Sequence, residues 1–413
     1  MPQAPLHIAI IGAGTAGAAA ALLLARAGHR VAVFEAVADP GPVGAGIMLQ
    51  PTGQTVLARL GLLQDVVARG HRVDHLLCET NNGRKILDLS YAALGDGRHG
   101  YGLHRGALFA ALFAALGQQT GVGVHLGIEV RKLVTTPKGP LLRDAAGNDH
   151  GPFDLTVVAD GAGSDLHDDQ GTPRTVKPYP WGALWWVAPD PELRFSGRLH
   201  QIVHGAHTML GLLPTGTAPD RPDLPLVSLF WSIRADRVDA FRHGDLGAWK
   251  ARVSQLLPAA AAVVAGIDSA DQLLFARYRD VVMPNWHGDR TVWLGDAAHA
   301  MSPQLGQGAN LALCDAAVLA DCVAKHPDVN QALVAYSRAR RRHLDYYQWA
   351  TRALTPFFQS DSQLLPWLRD VGMPVAGALP WTRRKMVAAM AGAETGLLLS
   401  SALDLGPPPR LEA

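Results

Sequence analysis

The 413-residue chain is short of cysteine, of charge and of long apolar runs, and each shortage excludes something. Its 3 cysteines, Cys78, Cys314 and Cys322, are odd in number and show no Cys-x-x-Cys spacing, which excludes a disulfide framework and a thiolate zinc site. They read as small buried residues in a reducing, cytoplasmic setting. Lys plus Arg (37) balance Asp plus Glu (36), leaving a net charge of +1, which argues against a broad cationic surface for nucleic acid. With 48% apolar and 18% charged residues, a large core is expected rather than disorder. Nowhere do about 20 apolar residues run uninterrupted, so no transmembrane helix is expected. The apolar N-terminal stretch has no basic region before it and is broken by glycines, so it reads as strand and turn, not signal peptide. No internal repeat is visible.

Glycine, at 43 residues, is what the chain has in quantity. His7 to Phe34 reads strand, turn, helix, strand. Gly12, Gly14 and Gly17 form G-x-G-x-x-G, with Ala16 inside the turn. Ala18 to Ala27 is the helix, and Glu35 closes the second strand. Gly12 permits the tight turn, Gly14 lets backbone approach a pyrophosphate, and Gly17 lets helix and strand pack closely. The helix N-terminus offers N–H groups and a positive dipole end to phosphates. Glu35 suits the adenosine ribose hydroxyls, and no Arg follows it to take a 2′-phosphate. NAD and FAD remain. The glycine-rich stretch from Gly41 to Thr52, before a helix from Gly53 to Leu60, departs from the regular βα continuation of NAD enzymes.

Further along, a short strand from Tyr101 meets Arg105 at the start of a helix, where a cation can reach a phosphate or a ribitol hydroxyl. Val124 to Val134 reads as one strand and Leu141 to Asp149 as a hairpin arm. The buried strand Leu155 to Ala159 delivers Asp160-Gly161 to its carboxyl end, where open α/β sheets bind ligands. From Val176 the texture turns β-rich and aromatic, with strands at Trp181–Val187, Leu199–His204, Thr208–Leu213 and Val227–Arg234. Pro214 to Pro225 reads as a loop, and Leu246 to Ala265 as a helical insert. A strand over Asp289 to Leu294 leads into GDAAHAMSPQLGQGANLALCDA, Gly295 to Ala316. Helices follow at Leu311–Lys325 and Asn330–Ala353. The cluster Arg338, Arg340, Arg341 and Arg342 on the second reads as a solvated face, and residues 406–413 as a disordered tail. His299, lacking partners for a metal, reads as a packing or locally hydrogen-bonded residue.

Three motifs in this order, GAGTAG with Glu35, Asp160-Gly161, and Gly295-Asp296 running through PQLGQGANLALCDA, resemble those of the single-component (class A) FAD-dependent aromatic hydroxylases. The resemblance spans essentially the whole chain. It implies a two-domain α/β (α+β) fold: a discontinuous Rossmann-like FAD-binding domain (1–75, 100–175, 276–330), a β-rich substrate domain (76–99, 176–275) and a helical C-terminal region (331–405). It implies that Gly12, Gly14, Ala16, Gly17 and Glu35 hold the ADP half of FAD, that Arg105 reaches the phosphate or ribityl region, and that Asp296 serves the ribityl chain and pyrophosphate. Asp160 and Gly161 would serve FAD and the visiting nicotinamide nucleotide. Gly306, Gln307, Gly308, Ala309 and Asn310 would bring backbone N–H groups to the flavin N1–C2=O edge, and Pro303 would lie beside its reactive edge.

The implied activity is a monooxygenase using NADH or NADPH and O2 to hydroxylate a small aromatic molecule through a flavin C4a-hydroperoxide. Substrate contacts are expected from Gln50, Met209 and Trp231, with His204 and His207 as candidates for taking a phenolic proton. A monomer or homodimer is expected, without nucleic acid and without a membrane role. Three rival readings are a flavin-dependent halogenase, which Trp185-Trp186 suggests only superficially because the tryptophans are adjacent, a quinone-ring hydroxylase peripheral to a membrane, from the apolar C-terminal run with Arg383, Arg384 and Lys385, and a non-enzymatic, FAD-stabilised interaction protein.

Overall fold

The computed structural model describes residues 4–41, 44–95, 97–166, 171–396 and 405; the expected disordered tail lies outside them. A six-stranded sheet runs in the order His287–Gly288, Thr291–Trp293, Leu155–Val158, His7–Ile11, Arg30–Glu35, Val122–Leu126. All its neighbours are parallel except the first pair. Ile8, Ile10, Val33, Leu155 and Val157 have no exposed surface, as continuous aliphatic runs require in a sheet covered on both faces. Helix Thr15–Arg26, almost entirely Ala and Leu, packs against helix Gly308–Lys325. The small alanine side chains allow that close approach.

A nine-stranded sheet stands beside it, in the order Leu274–Val282, Thr175–Pro189, Arg221–Arg234, Thr208–Ala218, Gly197–His204, His71–Thr80, Gly100–His104, Gly46–Leu49, with Lys85–Ser90 paired on His71–Thr80. Gly46–Leu49 and Gly100–His104 belong to this sheet, so the boundaries expected at 75 and 100 cut through it. One face carries the helical insert, helix Leu246–Leu256 and helix Ala261–Ala265, which are interrupted at Pro258. The C-terminal helices Val329–Phe358, Leu364–Ala378 and Pro380–Met390 complete the chain.

Three local expectations are corrected. Val124–Val134 is two strands: Val122–Leu126 stays in the six-stranded sheet, Gly127 turns the chain at φ +71°, and Val130–Val134 joins a three-stranded sheet. The stretch Leu141–Asp149 contains a whole hairpin turn, tied by Asp144 Oδ1 accepting from the N–H groups of Ala146 and Asn148 at 2.9 Å each. Pro214–Pro225 is no loop. Strands Thr208–Ala218 and Arg221–Arg234 continue through it, with register shifts between Pro214 and Ala218. Bulges tolerate the missing proline N–H, and Gly216 adopts φ +64° where a Cβ would lie 2.0 Å from Arg69 O.

The basic cluster is not one solvated face either. Arg338 and Arg342 are exposed, but Arg340 is fully buried. Among the described residues no helix is long and apolar enough to cross a membrane.

Candidate active site

The three motifs converge because their strands are neighbours in register. Ile11 pairs with Val158, and Val158 with Trp293. Gly12, Asp160 and Gly295 therefore leave the carboxyl ends of adjacent parallel strands side by side, where such sheets bind ligands. The fit is tight between them. Gly12 adopts φ +95°, and a Cβ there would lie 2.6 Å from Ala159 O. A Cβ on Gly17 would lie 1.9 Å from Gly12 O, and one on Gly295 3.1 Å from Ala16 Cβ. Gly14, the N-cap of helix Thr15–Arg26, differs: a Cβ there meets nothing within 4 Å. Backbone at that point faces an open groove, and the first helical turn carries no acidic side chain. That cradle suits a pyrophosphate. Glu35 sits at its mouth, with Oε2 accepting from Ala13 N–H at 2.8 Å and Oε1 from Val37 N–H at 3.0 Å.

Asp160 follows strand Leu155–Val158 and keeps part of its surface exposed, although its carboxyl is crowded by protein. The surrounding protein disfavours its charge and pushes the carboxyl up to about 6, against a hydrogen bond from Ser164 and the charge of Arg174. Asp296 is the one exposed residue in the otherwise buried run 291–300. Arg105, exposed, begins helix Arg105–Gln118, and its aliphatic stem lies over Gly44, whose Cβ position would be 2.9 Å from Arg105 Cδ.

The second glycine turn is held from behind. Asn310 is fully buried; its Oδ1 accepts from Gln50 N–H at 2.8 Å and its Nδ2 donates to Met48 O at 2.9 Å. Gln307 Nε2 donates to Met390 O at 2.7 Å. These side chains are thus occupied with structure, which leaves the backbone N–H groups of Gly308, Ala309 and Asn310 at the N-terminus of an 18-residue helix. Gly306 turns at φ +61°, and Pro303 and Gly308 are exposed in front of it.

Behind the turn lies a network not anticipated from the sequence. Asp315, fully buried, accepts from Gly295 N–H at 2.9 Å, from His299 Nε2–H at 2.6 Å and from Arg340 Nε–H at 2.7 Å. Arg340 also donates to His343 Nδ1 at 2.6 Å, and His343 Nε2–H to Gly392 O at 2.8 Å. The neighbouring His299 and Arg340 and the Gly295 N–H hold the Asp315 carboxyl well below the usual range despite its burial. His299 thus has the hydrogen bond expected of it, to a partner 16 residues on.

Strand alternation sorts the candidate substrate residues. Met209 is on the same face as Trp185 and Phe230, with Met48, Leu213 and Phe358 in one apolar cluster beside Gly306. The Trp185 and Phe230 rings lie 5.2 Å apart. Trp231 and His204 occupy the opposite face. Trp231 meets Trp249 of the helical insert edge-on at 5.9 Å, and His204 Nδ1 accepts from Arg252 at 2.8 Å. Desolvation and the neighbouring Arg252 lower the His204 pKa. His207 is exposed in the hairpin turn. Neither histidine, nor Trp231, faces the apolar cluster: a one-residue step along a strand reverses the side chain. Gln50 is buried, but its carboxamide oxygen accepts from Tyr91 in a separate cluster with Leu89 and Val387. Trp185, Phe230 and Phe358 join Met209 in this cluster; Phe230 does so because it pairs across the sheet with Gly211, two residues from Met209, a pairing that a single strand's sequence does not give.

Comparison with known proteins accords with this geometry. The profile of the FAD binding domain family matches residues 6–347. The FAD-dependent monooxygenase atnJ of Arthrinium sp is 27% identical over 383 residues, covering 84% of this chain and 83% of its own. The 2-heptyl-3-hydroxy-4(1H)-quinolone synthase of Pseudomonas aeruginosa is 25% identical over 378 residues, covering 88% and 93%. The crystal structure of Klebsiella pneumoniae HpxO with FAD and uric acid superposes at a TM-score of 0.77 with 19% identity, covering 93% and 97%, a likeness of fold. The chain belongs to the FAD-binding family of class A, single-component flavoprotein monooxygenases, and is an FAD-dependent oxidoreductase.

Proposed function

We propose that this protein uses NADH or NADPH and dioxygen to hydroxylate a small, largely apolar aromatic substrate. One observation carries the reading: the exposed backbone and side chains at Gly14, Asp296, Pro303 and Gly308 open beside an apolar, aromatic sheet face. When bound, FAD would supply the redox chemistry, by which two electrons from the nicotinamide and O2 put one oxygen atom on the ring and release the other as water. The chain binds, orients and excludes water. Gly14 and the helix N-terminus behind it would receive the pyrophosphate, and Asp296 would accept a hydrogen bond from the ribityl side. The N–H groups of Gly308, Ala309 and Asn310 favour negative charge at the flavin N1–C2=O edge, by about 0.3–1 kcal/mol at an exposed helix end and more when buried. Met209, Trp185 and Phe230 offer ring-sized apolar contact and no charge, which supports an uncharged aromatic. A relative acting on a quinolone is consistent with that class. The halogenase reading loses its basis, since Trp185 faces Phe230 while Trp186 turns to the other face and donates to Val263 O at 3.0 Å.

Two variants test the reading. Asp296→Ala is expected to weaken FAD binding about 10- to 100-fold, the loss of one charge-assisted hydrogen bond, read by flavin fluorescence on ultrafiltration; unchanged affinity would remove Asp296 from the site. Pro303→Gly is expected to retain FAD but to divert oxygen from product to hydrogen peroxide. The measurement is the ratio of product formed to NAD(P)H consumed with an aromatic that stimulates turnover. A protein that, loaded with FAD, oxidises no NAD(P)H with any of a broad aromatic panel would refute the proposed activity.

A further inference from the structure

Helix Leu364–Ala378 has two apolar faces, and among the described residues only one is packed against the rest of the molecule. Its inner face carries Arg369, fully buried, whose Nη1 donates to Gly205 O and Phe357 O at 2.9 Å each, and Met373, which packs on the aromatic cluster of the nine-stranded sheet. Its outer face carries Leu364, Trp367, Leu368, Val371 and Val375, at the three- and four-residue spacing that makes one stripe. Leu364, Trp367 and Val375 are 62%, 61% and 63% exposed. The stripe continues past the helix end through Leu379 and Trp381, each 56% exposed. Scattered exposed apolar residues are ordinary; a contiguous stripe with two tryptophans marks a contact surface.

The charge around the stripe indicates what it contacts. The flanking acidic side chains are taken up by cations: Asp361 by Arg234, Asp370 by Arg369, and Glu394 by Lys385. Arg383 and Arg384, exposed on helix Pro380–Met390, have no carboxylate partner among the described residues. Arg384 lies one turn from Trp381. Among the described residues the outward face therefore combines Leu and Val, two amphipathic Trp and two guanidiniums without a carboxylate partner, and every flanking carboxylate is paired. That is the chemistry of a surface that lies on an anionic bilayer, its indoles at the headgroup level and its cations on the phosphates.

We infer that the outer face of helices Leu364–Ala378 and Pro380–Met390 docks on the surface of an anionic phospholipid membrane. The contact is peripheral. It is independent of the hydroxylation reading, because it depends only on this face. It would bring the wall formed by Met373 and Phe358 against the lipid-water boundary, from which an apolar molecule can be taken up.

The test uses the FAD-loaded full chain and vesicles of phosphatidylcholine alone or mixed equally with phosphatidylglycerol. Flotation should recover the protein with the mixed vesicles, with a blue shift of tryptophan emission, and much less with phosphatidylcholine alone. Arg383→Gln with Arg384→Gln should reduce the partition coefficient about 30-fold, at roughly fivefold per cation near an anionic surface. Trp367→Ser with Val375→Ser should abolish flotation while flavin absorbance and circular dichroism stay unchanged. Three results would overturn the inference: no flotation of the parent protein with either vesicle, partitioning indifferent to both pairs of substitutions, or a dimer by light scattering that Trp367→Ser dissociates. Turnover is not read in any arm, so failure here leaves the proposed activity standing.

Discussion

Replacing Arg340 with methionine is expected to remove about 3–5 kcal/mol of stability, the usual result of deleting one partner of a buried ion pair. Arg340 and Asp315 are both fully buried, and their Nε–Oδ1 distance is 2.7 Å. Methionine fills much of the same volume, so the loss would come from charge, not from a cavity. Asp315 would keep His299 and Gly295 N–H but lose its permanent cation, and His343 Nδ1 would lose its donor. Urea denaturation of the apoprotein measures the change. Arg340→Met combined with Asp315→Asn should recover part of it, because the uncompensated carboxylate is gone. A loss in the double variant equal to the sum of the Arg340→Met and Asp315→Asn losses would show that the pair is not coupled. The same network has a pH signature. Burial, then the charge of Arg340, lowers the His343 pKa to about 3. The unfolded chain takes up that proton near 6.5 and the native protein only near 3, so the unfolded state binds more protons between them. Stability should be level above about pH 6.5 and fall below it, by up to about 1.4 kcal/mol per pH unit from this group. His343→Gln can accept from Arg340 and donate to Gly392 O without titrating, so its stability should fall less steeply between about pH 6.5 and 4.5. Asp315, whose pKa is depressed in the fold, adds stability that is present above the unfolded carboxylate value of about 4 and lost as pH falls below it.

How much of this was legible follows from how local each signal is. The glycine turn, the Asp160-Gly161 element and the Gly295–Ala316 run could be read because each is a strand end, a turn and a helix start within about twenty residues. Their convergence also follows, once the strands are recognised as parallel neighbours. The Asp315–Arg340 pair could not be read, because its partners lie 25 residues apart on different helices. A buried Arg has the same one-letter context as its exposed neighbours Arg338 and Arg342. Which face of the sheet each expected substrate contact occupies was not legible: Met209 lies in the apolar cluster, whereas Trp231 and His204, expected beside it for their chemistry, lie on the opposite side of the sheet. Pairing of His204 with Thr208, and of Trp231 with Leu210, sends both toward the helical insert. Proline-rich Pro214–Pro225 was misread because bulges can carry proline inside a strand, and that depends on neighbouring strands, not on the segment itself.

The first glycine turn allows folding and cofactor binding to be separated by substitution at two positions three residues apart. Gly17→Val is expected to prevent the native fold. Its Cβ would lie 1.9 Å from Gly12 O and 3.2 Å from Ile10 Cγ2, on the strand His7–Ile11 and the turn residue that directly follows it, against which the helix must pack. Backbone cannot yield there without moving helix Thr15–Arg26 off a sheet whose core it seals. Gly14→Val is expected to fold. Gly14 has φ −67°, which any residue adopts, and its Cβ meets nothing within 4 Å. The open space there is what the pyrophosphate would need, so an isopropyl group in it should lower FAD affinity by more than 1,000-fold, beyond the loss from Asp296→Ala. The measurements are circular dichroism and thermal unfolding for the fold, and flavin retention for the site. Gly14→Val should give a colourless protein with the melting temperature of the parent apoprotein, and Gly17→Val should give insoluble or molten material. A yellow Gly14→Val protein would mean that the cofactor does not approach the helix N-terminus at this point. A folded, yellow Gly17→Val protein would mean that helix and strand can separate at no cost to the cradle.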